Sequence, residues 1–111
     1  MLLKDFIEYS KRFEVGFLGT VGGKGPDLKP VHFEVDERGV VIKGNTFTEG
    51  KACVAFSNDQ YVWGSENASV NGHLEKTKDG EYLLVPEMAV WTIGFDIKDR
   101  PHRIVKRWKK Q

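Results

Sequence analysis

The residues best equipped for chemistry in this 111-residue chain lie in two short runs. In Thr46-Phe47-Thr48-Glu49-Gly50-Lys51 an ammonium, two hydroxyls and a backbone loosened by glycine follow closely, a donor set suited to phosphate. Lys51 reads equally as a solvated residue in a turn. In Lys29-Pro30-Val31 a second cation precedes a proline that fixes the local chain. This stretch suits either the backbone edge of a ligand site or an ordinary edge strand opening on proline. His32 points opposite to Val31 and Phe33, towards a wet cleft or towards bulk water.

Other chemistries find less support. His32, His73, His102 and Cys53 are too dispersed to match a metal-ligand spacing. Gly22-Gly23-Lys24-Gly25 lies between two strand-like runs, whereas a dinucleotide or P-loop site needs its glycines ahead of a helix. Cys53 lies in an apolar run, where a thiol is inert. Arg100 to Lys110 carries six Lys or Arg with His102 and Trp108, a pattern that reads first as an exposed strand guarded by charge. Nucleic acid is therefore not expected as a partner. Trp91 reads as core; Trp108 suits core or a ring stacked at an interface, and Trp63 suits core, interface or pocket wall.

The elements that must position these residues follow from periodicity. Leu2, Leu3, Phe6, Ile7 and Phe13 form a helical apolar stripe over residues 2–13. The period then falls to two. Strands are expected over 15–21, 29–35, 40–45, 52–57, 68–76, 81–85, 91–97 and 102–108. Asp36-Glu37-Arg38-Gly39 and Thr77-Lys78-Asp79-Gly80 mark turns, and Asn71-Gly72 reads as a bulge or, alternatively, as the turn of a tighter hairpin. Short strands at regular spacing after one helix predict a mainly β fold: a small antiparallel barrel or sandwich, forming one domain over 1–111.

Composition sets the outer limits. Seventeen Lys and Arg against sixteen Asp and Glu leave a net charge of +1, so no overall field favours nucleic acid or an anionic membrane. The single cysteine forbids an internal disulfide, and no apolar run reaches signal-peptide or membrane-spanning length. A cytoplasmic protein without membrane contact is expected. In a chain this small, pairing with a second copy helps to cover large aromatics, so a homodimer is plausible on size alone.

The run from Val15 to Asn45, VGFLGTVGGKGPDLKPVHFEVDERGVVIKGN, resembles the opening of the FMN-binding split-barrel family of pyridoxamine 5′-phosphate oxidase-like proteins. The resemblance is one of pattern and order. Leu18-Gly19-Thr20-Val21, Lys29-Pro30-Val31-His32-Phe33, the acidic turn Asp36 to Gly39 and the Thr46 to Lys51 segment follow the family's sequence of features. Residues 68–75 and Arg103-Ile104-Val105 with Trp108 resemble its later strands more weakly. Two departures stand out: Lys29 occupies a position where the family usually has Arg, and no helix of several turns follows Lys51.

The resemblance implies a split β-barrel with an N-terminal helix, a homodimer binding FMN at the subunit interface, and an oxidoreductase acting on a small-molecule substrate. It assigns cofactor binding to Lys29, Pro30, Val31, Thr46, Thr48 and Lys51, with Lys29 reaching phosphate or placing positive charge near the ring. No catalytic residue and no metal are implied. The departures leave room for a non-catalytic binding module that has lost FMN, or for a relative that binds deazaflavin or haem.

Overall fold

The computed structural model describes residues 2–11, 13, 15–22, 25–44, 47–57, 66–77 and 80–111. A helix α1 (Leu3–Ser10) precedes seven strands: β1 (Val15–Gly22), β2 (Gly25–Asp36), β3 (Gly39–Lys43), β4 (Gly50–Ser57), β5 (Glu66–Lys76), β6 (Tyr82–Ile97) and β7 (Arg100–Lys109). All pairings are antiparallel, in the order β3-β2-β1-β4-β5-β6-β7. A further pairing of β3 with β6 closes the first six strands into a barrel and leaves β7 as an appended strand.

Alternation accounts for the barrel wall. Leu18, Val54, Phe56, Val70, Leu74 and Leu84 are buried, while the residues between them face outward. Gly16 leaves space for the Phe33 ring, whose nearest carbon lies 2.7 Å from where a Gly16 Cβ would stand. Phe33 and Phe13 both pack on Phe56, at centroid distances of 4.7 and 5.7 Å. The helix lays its apolar face on the barrel through buried Phe6, and Ser10 Oγ donates to the Phe6 carbonyl at 2.8 Å, so its burial leaves no bare hydroxyl.

Trp91 ties the pieces together. Its ring stacks on Tyr9 of α1 at 4.0 Å, its Nε1 donates to Glu66 Oε1 of β5 at 2.7 Å, and the Lys106 ammonium of β7 lies 5.0 Å from the ring centre.

Two expectations change. The runs over 81–85 and 91–97 are parts of one strand, β6, which continues through Pro86. Gly72 pairs with Pro86 and Asn71 with Met88, so Glu87 is the extra residue of a β-bulge. Asn71-Gly72 therefore sits inside β5 rather than forming a hairpin turn. The bulge tolerates Pro86 and switches the inward face of β6 from Tyr82, Leu84 and Pro86 to Ala89 and Trp91. The second change concerns Lys51, which lies within β4 rather than in the preceding loop.

Closure depends on the β2–β3 turn. Asp36 accepts the Arg38 backbone N–H at 2.8 Å and its guanidinium at 2.8 Å, and this contact holds the Asp36 carboxyl below its ordinary range. Gly39 takes φ +139°, and a Cβ there would run into the Leu84 carbonyl of β6. Gly44 has φ +106° with open space around it. Both Gly39→Ala and Gly44→Ala should carry backbone strain of about 1–3 kcal/mol from the positive φ, and Gly39→Ala should destabilise the fold further through the clash with the Leu84 carbonyl. Urea unfolding of the two variants measures the difference.

Candidate functional site

The outward face of the barrel is built from small residues. Reading the register across the strands, Leu28, Gly19, Cys53, Asn71, Met88 and Lys109 form one continuous row. Pro30, Phe17, Ala55, Ser69, Val90 and Arg107 form the next. Glycine, cysteine and alanine keep the middle of this surface low, while Leu28 and Val21, each 69% exposed, rise at the β1–β2 end. The result is a cleft of about 600 Å³, whose lining includes Gly19, Val21, Leu28, Lys51, Cys53 and Glu87. That volume lies within the range of about 300–1,000 Å³ usual for small-molecule sites.

Lys51 stands on β4 opposite His73 of β5 and is exposed at this cleft. Among the described residues it has no ion pair, in contrast to Lys11, Lys29, Arg38 and Lys43, which pair with Glu8, Asp27, Asp36 and Glu34. An ammonium without an ion pair beside an apolar floor is able to take an anionic group, although Asp27 and Glu87 also line the cleft. Cys53 lies in the floor, half-buried, and desolvation pushes its thiol pKa up.

The other expected site residues are dispersed. Lys29 is exposed on β2 with Nζ 3.2 Å from Asp27 Oδ2, and of that pair only Asp27 lines the cleft. Pro30 lies in the adjoining outer row. Val31 packs against the core, which commits its side chain inward. Thr48 is exposed in the segment before β4 and does not line the cleft. That segment is anchored by the Phe47 N–H donating to the Tyr82 hydroxyl at 3.2 Å, and by Glu49 Oε1 accepting from the Lys76 N–H at 2.8 Å. Thr46 and Trp63 lie outside the described residues. His32 is exposed, Trp91 is core, and Trp108 is partly buried against the core.

Of the residues that line the cleft, sequence reasoning expected only Lys51 at a site; those it missed include Val21, Leu28, Gly19, Asn71 and Glu87. The last two are brought there by the bulge, whose only sequence signal was a glycine in β5 facing a proline in β6. Among the described residues no group of three or more His, Cys, Asp or Glu is placed to hold a metal. No described helix is long and apolar enough to cross a membrane. No protein-family model matches the chain, and no curated protein matches it.

Burial of the Cys53 thiol has a measurable result. Desolvation raises its folded pKa above the unfolded value, so the thiolate is disfavoured in the fold, and stability present below the unfolded value is lost as pH rises from there through the raised folded value. Alkylation by iodoacetamide at pH 8 should be slower for the native protein than for the urea-unfolded chain. Equal rates would show that the floor of the cleft is open to water.

Proposed function

We propose that this protein is a homodimeric, FMN-binding flavoprotein of the pyridoxamine 5′-phosphate oxidase-like kind, a cytoplasmic oxidoreductase of a small-molecule substrate. The observation that carries the reading is the cleft: a low apolar floor of suitable volume, with the uncommitted Lys51 at its edge.

These residues suit FMN in type. Lys51 would hold the phosphate, Gly19 and Cys53 would let the ring approach the sheet, and Val21 and Leu28 would flank it. Lys29 offsets the Asp27 carboxylate, which would otherwise oppose the phosphate. Bound there, FMN would supply hydride transfer. The chain's own part is to bind, to orient and to exclude water, and none of the described cleft residues is needed as an acid or base in this reading.

The dimer reading rests on the same face. Phe17, Val21, Leu28 and Met88 are exposed apolar residues grouped on or beside two rows of small side chains, a surface of low relief that a second copy can cover. Phe17→Asp should convert a dimer to monomer in sedimentation velocity, and should weaken FMN binding if the interface completes the site.

One observation favours a second reading, a split-barrel binding module without flavin, or with deazaflavin or haem: of the described Lys29, Thr48 and Lys51, only Lys51 lines the cleft. Titration with FMN, followed by quenching of flavin fluorescence, separates the two. Lys51→Ala should raise the Kd about tenfold or more, as expected for loss of a charge-assisted hydrogen bond of about 1.5–3 kcal/mol, whereas Lys29→Ala should raise it less, through the Asp27 carboxylate that it leaves unpaired at the cleft. A colourless protein that takes up no FMN would sink the flavin reading.

A further inference from the structure

The most one-sided feature of the molecule is β7. Six of the seventeen Lys and Arg lie between Arg100 and Lys110 with none of the sixteen Asp and Glu, so the rest of the chain holds eleven cations against sixteen acids. A net charge near zero thus conceals a basic strand on an acidic body. Arg100, Arg103, Lys106, Arg107, Lys109 and Lys110 are all exposed, and among the described residues none of them forms an ion pair.

This strand is also an open sheet edge. Among the described residues it pairs with β6 alone and ends the sheet. Lys110 N–H donates to the Glu87 carbonyl at 2.8 Å, next to the Met88–Lys109 pair. By the alternation of an antiparallel ladder, the backbone groups of residues 104, 106 and 108 therefore face β6. Those of Arg103, Val105, Arg107 and Lys109 face away, towards the open edge. At the centre of the strand Ile104 and Val105 are exposed, at 45% and 36%. The edge is ordered rather than loose, since Lys106 lies over the Trp91 ring and Trp108 packs on the core.

We propose that the open edge of β7 receives an acidic, extended polypeptide segment of a partner protein as an added strand. Main-chain hydrogen bonds to Arg103, Val105, Arg107 and Lys109 would supply the pairing, and cross-strand charge would supply selectivity. A second copy's β7 is rejected because its cations would meet these. In an antiparallel register the segment carries acids opposite Lys109, Arg107, Lys106 and Arg103 and two adjacent apolar residues opposite Val105 and Ile104, the order Glu-Thr-Glu-Glu-Val-Val-Glu.

That peptide, capped at both ends, is the probe, with the whole isotope-labelled chain followed by NMR. Binding should slow the amide exchange of Arg103, Val105, Arg107 and Lys109 at least tenfold and leave residues 104, 106 and 108 unchanged. It should weaken as salt is raised. A peptide of equal charge with Pro at the third and fifth positions, and the displaced Glu moved to the second, should bind at least tenfold more weakly. Arg103→Glu with Arg107→Glu, checked for an unchanged fold by its spectrum, should abolish binding of the acidic peptide. Equal binding of the Pro peptide would overturn the added strand and leave a plain polyanion surface. So would binding of oligothymidylate as tightly as the peptide, without protection of the edge amides. Absence of binding by the acidic peptide at low salt would overturn it outright.

Discussion

The structure depends on the closure of its barrel through β6. One strand of sixteen residues must pair with β5 along most of its length, with β3 near its beginning and with β7 beyond. A straight strand with a single parity cannot keep an apolar face inward through that change of neighbours. The bulge at Glu87 resolves this by turning the inward set from even to odd positions, so that both Leu84 and Trp91 are buried. At Gly72 and Gly39 the backbones come too close for a side chain, against the carbonyls of Val85 and Leu84.

The same constraint shapes the outer surface. The bulge that closes the core turns Glu87 outward and brings Asn71 and Gly72 to the cleft. Small outward residues on β1, β4 and β5 then leave a shallow trough instead of a convex wall. The candidate site is in this sense a by-product of how the barrel closes, positioned by strands and not by loops. A site on rigid strands gains precision but has few side chains to spend, which is why its uncommitted cation, Lys51, matters so much to the reading.

Charge follows the architecture as well. Inside the barrel wall the ion pairs are short-range and exposed, such as Lys43 with Glu34 across β2 and β3 and Lys29 with Asp27 along β2. Exposed pairs of this kind stabilise little, typically under about 1 kcal/mol. They nevertheless neutralise their neighbourhoods. The appended strand is left with cations and no acids, and Trp91 shows how it is held: apolar stacking from the helix, a carboxylate on the indole nitrogen, and an ammonium over the ring.

By itself the sequence determined the helix, most of the strands, the mainly β class and the shared face of Val31, Phe33 and Val35. Those depend on alternation and turn residues that act over a few positions, such as Asp36 to Gly39. It did not determine that residues 82–97 form one strand, because Pro86 reads locally as a break and only pairing with Gly72 makes it a bulge. Nor did it place Lys51 at a cleft and Lys29 beside Asp27, away from the cleft lining. Which cations remain unpaired, and which small residues line up across six strands, depends on register between segments far apart in the chain. Only the closed barrel sets that register.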